Sequence, residues 1–565
     1  MGEAFLALAS PTRYTTRVRL LAFRKVKGAA DMCARNRHLK RLADESFDLL
    51  VIGGGATGSG IALDAASRGL KVALVERFDF GSGTSSRSTK LVHGGVRYLE
   101  QAVRHADRSQ FHLVREALKE RATLLANARH LAHPLPLLTP IYGALELPYF
   151  YTGLKLYDML AGRANLKPSR LINREQATQR FPMLRKEGLR GAVEYHDGQF
   201  DDARMNVALV LTAEEQGAAV VNYASVEELI KADGRVQGAV VRDELAADGS
   251  GQELYEVRAT VVLNATGPFV DAVRHLDDPA APEILKTSSG IHIVLPAHFS
   301  PPDTGLLIPR TEDGRVLFLL PWLGHTLVGT TDNEAPLEAD PQASAADVSY
   351  ILRHVRQYFD LPVEESDVLS AWSGLRPLVQ PEAVAESGAA GQGGNGAPTS
   401  TARLSRDHTV LVSESGLVTV TGGKWTTYRK MAEDAVNVAI QQGDLQPRTP
   451  CLTAELPLVG SAGFKEGGEH DLAREFGLEP DVAHHLHYAY GDRAPAVARL
   501  AQGGLGARLA EGMPYLEAEV LYARRAELAR TADDVLERRT RIAFLDRLAA
   551  EAARERVEEL LKSPA

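Results

Sequence analysis

The chain has 565 residues, 44% hydrophobic and 24% charged, an ordinary globular composition with room for three or four domains of roughly 150 residues each. A net charge of −9 disfavours a nucleic-acid partner, and two cysteines, Cys33 and Cys451, exclude a disulfide framework or a cysteine-rich metal site and fit a reducing compartment. No run of about 18 uncharged apolar residues occurs, so no transmembrane helix is expected.

Residues 1–46 differ from the rest, with ten Lys and Arg against four Asp and Glu and no acid between Ala4 and Ala30. A transit peptide, a basic tail or extra sequence upstream of a start at Met32 all fit this composition. The expectation is a disordered tail over 1–46.

Phe47 to Ile52 is an apolar run that predicts a buried parallel strand. Gly53, Gly55 and Gly58 then give G-x-G-x-x-G where strand turns into helix. They serve a tight turn, close approach to a pyrophosphate and close helix–sheet packing, and the helix N-terminus supplies amide donors. A second strand, Lys71 to Val75, ends at Glu76, placed to bind ribose hydroxyls. The same glycine spacing recurs at Gly391, Gly393 and Gly396, but no strand precedes it and Pro398 follows, so it predicts a flexible loop.

"GSGTSSRSTK", Gly81 to Lys90, is dense in hydroxyls and suited to running along an extended dinucleotide, with Ser82 and Ser86 as candidate contacts. "LVHGGVRYLE" follows, packing His93, Gly94, Gly95, Arg97 and Tyr98 into ten residues just downstream of the nucleotide unit. "LELPYFYTGLKLYDML", Leu145 to Leu160, is too short to span a membrane; it reads as a buried helix or as an aromatic helix resting at a membrane interface, and the buried helix is favoured.

"NYASVEELIKADGRVQGAVVRDE" predicts a strand pair in the nucleotide domain, with the Val226 backbone beside adenine. "VVLNATGPFVD" is a buried strand ending in a small-residue turn; Ala265, Thr266 and Gly267 resemble the late A-T-G turn of glutathione-reductase-like FAD proteins. FAD is therefore preferred to NAD. "GIHIVLP" alternates like a strand and sets His292 and Val294 on one face. "GLVTVTGGKWTTYRKMAEDAV" predicts a strand, a turn at Gly422–Gly423 and a helix, bringing Lys424 near a ligand. It is no Walker motif, because Trp425 stands where Ser or Thr is required. Taken singly, His292 reads equally as a core histidine, and Arg97, Arg376 and Lys424 as surface or salt-bridge residues. Their company of glycines and turns favours a site.

Together "GTSSRSTKLVHGGVRYLE", "FDDARMN", "NATGPFVD", "SGIHIVLP", "VGTTD", "SGLRPL", "LSRDH" and "TGGKWTTYRKMAED" resemble the FAD-dependent glycerol-3-phosphate dehydrogenases over about residues 47–550. The resemblance implies oxidation of sn-glycerol 3-phosphate to dihydroxyacetone phosphate, with hydride passing from C2 to flavin N5. It implies His292 as base with His93 its rival, Arg376 as charge stabiliser, Arg97, Tyr98 and Lys424 as substrate ligands, and Gly423 among the cofactor contacts. Several cations suit a phosphate better than an amino-acid carboxylate. The implied acceptor is a respiratory quinone reached peripherally at a membrane surface, with glycerol-3-phosphate oxidase the alternative; a homodimer is compatible. A catalytically silent flavin module and an amine or amino-acid oxidase are further alternatives.

The expected architecture is α/β. A glutathione-reductase-like, Rossmann-type FAD domain takes 47–125, 190–285 and 408–448. An antiparallel-sheet substrate domain takes 126–189 and 286–407, with a glycine-rich loop at 386–401, and a helical C-terminal domain takes 449–565. No D-x-[DN]-x-[DN]-G calcium loop is present, which leads to the expectation of a bacterial-type, cytoplasmic protein.

Overall fold

The computed structural model describes residues 34–95, 99, 108–143, 146–246, 253–309, 311–312, 315–380 and 408–563. Two sheets organise it. The first runs in the order His408–Val412, Val418–Gly422, Leu254–Asn264, Ser46–Ile52, Val72–Val75 and Ala219–Val221. Its four central contacts are parallel, and the outer strand His408–Val412 is antiparallel. The predicted hairpin is present as Ala224–Ala232 and Arg235–Asp243, the latter antiparallel to Leu254–Asn264. Parallel strands need cover on both faces. The helices Ala56–Ser67, Asp202–Glu215 and Tyr428–Gly443 supply it on one side, where small residues such as Ala62, Ala65, Ala432 and Ala435 permit close packing.

The second sheet is ten-stranded and antiparallel except where Gly305–Ile308 runs parallel to Ala132–Ile141. One face, with Ile291, Ile293, Leu319 and Val328, packs against the Ala345–Tyr358 helix. The opposite face, with Val294, Trp322 and Trp372, packs against the C-terminal helices through Val535, Ile542 and Phe544. The last segment is mainly helical from Glu469 onward, with Glu469–Phe476, Pro480–Tyr490, Glu517–Ala526 and Arg547–Lys562 as its longer helices.

Two expectations need correction. Residues 34–44 form a helix, part of the stretch expected to be disordered: Leu39 and Leu42 join the core under the parallel sheet, and Arg35 is bonded to both oxygens of buried Asp243. The strand Gly191–Phe200, expected in the FAD domain, pairs along its whole length with Ala132–Ile141 in the second sheet. Its residues are buried on both faces, so the alternation that marks a one-sided antiparallel strand is absent. The Leu145–Leu160 stretch is a helix, Glu146–Ala161, that buries Leu154 and Tyr157 and exposes Tyr149 and Met159.

Candidate active site

The nucleotide unit folds as its glycines dictate. Gly53 has a φ of +104°, and a Cβ there would sit 2.6 Å from the Ala265 carbonyl oxygen, so the first glycine backs directly onto the Ala265–Gly267 turn. Ala265 N–H donates to Ile52 O at 2.9 Å, and Thr266 Oγ1 bonds Asn264 Oδ1 at 2.7 Å, fixing that turn. A Cβ on Gly58 would overlap the Gly53 carbonyl oxygen, which is the close helix–strand packing the motif requires. Gly55 caps the Ala56–Ser67 helix without a side-chain cap, and no acid lies in its first turn. That terminus is fit to bind a pyrophosphate through its amides.

Glu76 accepts from Gly54 N–H at 2.6 Å and Phe78 N–H at 2.9 Å. Burial raises its carboxyl above the usual range against the pull of those two amides. Val226 lies two residues beyond Ala224, whose N–H donates to Glu76 O at 2.7 Å, so the strand pair reaches the same end of the sheet. A small-residue cradle, an uncapped helix start and a terminal carboxylate together fit the adenine dinucleotide half of FAD.

Gly81–Gly95 is the hub joining this unit to the second sheet. Ser85 Oγ accepts from Ala56 N–H at 2.9 Å, and Ser85 O accepts from the Trp425 indole at 2.8 Å. Thr84 Oγ1 bonds Leu375 O at 2.5 Å, and Arg87 bonds Ser373 O at 3.2 Å. Thr89 Oγ1 lies 3.0 Å from His292 Nε2. His93 N–H donates to Thr426 Oγ1 at 3.2 Å, and Thr426 in turn bonds His93 O at 3.4 Å. Segments hundreds of residues apart are thus stitched along one loop. Ser82 is half-buried with its N–H on Asp79 O, whereas Ser86 is buried and offers its carbonyl to two cations.

His292 and Arg376 belong to one patch. Pairing of Leu285–Leu295 with Ser370–Val379 sets Ser288 opposite Arg376, Gly290 opposite Gly374 and His292 opposite Trp372, all on one face. A Cβ on Gly290 would overlap the Arg376 guanidinium, so glycine is what lets the arginine lie across the strand. Arg376 donates to Thr330 Oγ1 at 3.0 Å, Asp332 Oδ1 at 3.3 Å and Ser289 O at 3.4 Å, and stays a quarter exposed. His292 is 2% exposed and stacks on Trp372 at 5.6 Å between centroids and 18° between planes. Burial, then Lys90, then Arg376 push its imidazole well below the ordinary range, so it is neutral at pH 7. Lys424 sits in the turn between Gly423, at φ +71°, and the Trp425–Thr427 helical turn, which bonds Ser85 and His93. Arg97, Tyr98 and the 386–401 loop lie outside the described residues.

Residue-type reasoning passed over Ser85, Thr89, Lys90, Asp202, Trp372 and Arg541. Thr330, Asp332 and Asp202 lie in the quoted stretches "VGTTD" and "FDDARMN", which were the available signal.

Residues 48–429 match the family model for FAD dependent oxidoreductases, and residues 451–564 match the C-terminal domain of alpha-glycerophosphate oxidase. The chain is 48% identical over 518 residues to the probable mitochondrial glycerol-3-phosphate dehydrogenase of Dictyostelium discoideum, covering 90% of this chain and 79% of that one. It is 48% identical over 543 residues to the mitochondrial enzyme of Homo sapiens, covering 94% and 72%. The solved glycerol-3-phosphate dehydrogenase of Bacillus halodurans, complexed with FAD, superposes with a TM-score of 0.71 at 30% identity over 94% of this chain and 98% of that one. The FAD-bound L-alpha-glycerophosphate oxidase of Mycoplasma pneumoniae shares the fold at a TM-score of 0.54 and 16% identity. These relatives overturn the cytoplasmic expectation, because those nearly half identical to the chain are mitochondrial proteins. A nucleotide cradle built for FAD, a neutral histidine beside an arginine, and near-half identity across almost the whole chain converge: the protein belongs to the FAD-dependent glycerol-3-phosphate dehydrogenases.

Proposed function

We propose that the chain oxidises sn-glycerol 3-phosphate to dihydroxyacetone phosphate, with His292 as base and a quinone as electron acceptor. The observation that carries the reading is a buried imidazole on the same strand pair as Arg376, reached by the loop that leaves the nucleotide cradle. Gly53, Gly55, Gly58, Glu76, Ser82, Val226, Thr266, Gly267 and Gly423 would hold the cofactor, and FAD would supply the acceptor for the hydride that leaves C2. The proton of the C2 hydroxyl goes to His292 Nε2, the nitrogen that faces Thr89, and Arg376 offsets charge developing on that oxygen. Lys424 binds the phosphate end, together with Arg97 and Tyr98. His93, whose backbone is tied to Thr426, lines the loop between cofactor and substrate.

The quinone reading rests on relatives named dehydrogenases, and attachment to a membrane surface follows from it. No described helix is long and apolar enough to cross a membrane. An oxidase is the second reading, favoured by the description of the C-terminal family model. Anaerobic addition of glycerol 3-phosphate to the purified holoenzyme is expected to bleach the flavin, and a soluble ubiquinone analogue to restore it faster than air. Stoichiometric peroxide in air would defeat the quinone assignment. His292→Ala is expected to slow flavin reduction by about 10²–10⁴, the usual contribution of a positioned base. An unchanged rate would remove His292 from that role.

A further inference from the structure

Lys90 is fully buried and holds a left-handed backbone, φ 63°, that a residue with a side chain rarely adopts. Its ammonium donates to Asp202 Oδ2 at 2.8 Å, Ser88 O at 2.9 Å and Ser86 O at 3.0 Å, which uses all three protons. Ser86 O also accepts from Arg541 Nη2 at 2.7 Å, and Arg541 lies 3.5 Å from Asp202 Oδ1. Two buried cations therefore share one carboxylate. Asp202 takes Ser88 as well, through its N–H at 3.0 Å and its hydroxyl at 2.7 Å. The ammonium is also flanked by two indoles, Trp322 at 5.2 Å and Trp372 at 5.3 Å.

Both grips on His292 start from this knot. Thr89, bonded to Nε2, is the residue before Lys90, and Trp372, stacked on the imidazole, is the ring beside the Lys90 ammonium. Arg541 comes from the C-terminal helices, where Phe544 packs on Trp372 at 4.8 Å between centroids. We infer that Lys90, paired with Asp202, is a positioning residue for His292: it fixes the hydroxyl at the imidazole edge and the indole on its face, and it adds a cation to the buried surroundings of the ring. The assignment rests on the proposed role of His292. The groups facing the ring are Lys90 and Thr89 from the loop, and Arg376 and Trp372 from the neighbouring strand; both charged groups are cations. Burial lowers the Lys90 ammonium itself to about 8 against the support of Asp202, so it remains charged at neutral pH.

The test uses holoenzyme labelled with ¹³Cε1-histidine, the His292 signal being assigned by its loss in His292→Asn. In the parent protein this signal is expected not to titrate between about pH 5 and 8, where an ordinary histidine does. In Lys90→Met it is expected to titrate at least about one pH unit higher than in the parent, the scale on which a nearby buried charge acts. The acid limb of anaerobic flavin reduction by glycerol 3-phosphate should move the same way. Lys90→Arg, which keeps the charge, should restore the parent profile. Lys90→Gln, which removes the charge but keeps donors for Asp202 and Ser86, carries the test if Lys90→Met does not fold and should shift the signal in the same direction. A slower reaction with the His292 signal and the acid limb unmoved would mean a merely structural role and overturn the inference. The NMR arm reports on the imidazole whether or not it is the base, so failure of the catalytic reading appears separately, as unimpaired flavin reduction in His292→Asn.

Discussion

Single residues divide into those whose work is done by their own backbone and those whose work depends on distant partners. Gly58 belongs to the first kind and was legible in the sequence: its spacing from Gly53 placed it at the helix–strand crossing, and the structure shows no room there for a Cβ beside the Gly53 carbonyl. Because the obstacle is backbone, it cannot swing aside. Gly58→Val is expected to lower the flavin retained per polypeptide by roughly tenfold, on the order of 1.4 kcal/mol of binding, read from visible absorbance of the purified protein. Gly503→Ala meets nothing within 4 Å and should keep its flavin. Lys90 belongs to the second kind. Its meaning is set by Asp202, 112 positions away, and by Arg541, which meets Ser86 across 455 positions. No local spacing encodes such a meeting, and a lysine in a hydroxyl-rich loop reads as solvated. His292 falls between the two: alternation gave its face, while its neutrality comes from cations that tertiary packing delivers.

At the scale of elements, the helix Glu146–Ala161 shows how a surface segment can govern a site loop. Its apolar run read as a buried helix, whereas the structure buries one face only, and what that inner face holds was not readable. The Tyr157 hydroxyl accepts from Gly94 N–H at 2.7 Å and donates to Asp197 Oδ1 at 2.9 Å. Asp197 is in turn bonded to Arg121 at 2.6 Å. Burial pushes the Asp197 carboxyl up to about 6, against the downward pull of Arg121 and Tyr157. A folded value above the usual 3.8 means that this group favours the fold most below 3.8, and that the contribution is lost as pH rises through about 6. Tyr157→Phe strands the Gly94 amide and withdraws a donor from the carboxylate. The expected cost is about 1–3 kcal/mol in urea unfolding, larger above about pH 6, where Asp197 is ionised and most needs the donor. The KM for glycerol 3-phosphate should rise several-fold as the His93–Gly94 backbone loosens. A cost independent of pH would disconnect the hydroxyl from Asp197.

At the scale of the whole molecule, the C-terminal segment is wired into the cofactor domain. Helical character there was evident from its Ala, Leu, Arg and Glu content, and its charges were read as a solvated face. Several are instead buried. Asp79, just beyond the Val72–Val75 strand, accepts from Arg538 Nε at 2.7 Å, from Arg539 Nη1 at 2.7 Å and from Asn222 at 3.1 Å, with no exposure of its own. Arg539 also reaches Glu527 O, and Glu527 holds Arg204 of the Asp202–Glu215 helix at 2.8 Å. Burial alone would raise the Asp79 carboxyl; Arg539 and Arg538 outweigh it and hold the group below its usual range. Its contribution is therefore present above the ordinary value of 3.8 and is lost as pH falls below it. Asp79→Asn leaves Arg538 with Asp534 and Glu537 and Arg539 with Glu527, but removes the fully buried charge that both share, so it is expected to cost up to about 3–5 kcal/mol and to lower the temperature of flavin release accordingly. The exposed pair Arg493–Glu215, at 2.6 Å with side chains 44% and 52% exposed, links the same two regions through solvent. Breaking it by Glu215→Ala should cost under about 1 kcal/mol. Equal effects of the two substitutions would mean that burial of the Asp79 cluster contributes nothing special. A large effect confined to Asp79→Asn would show that the C-terminal helices and the nucleotide cradle unfold as one cooperative unit, so that cofactor retention depends on residues some 460 positions downstream of the carboxylate they hold.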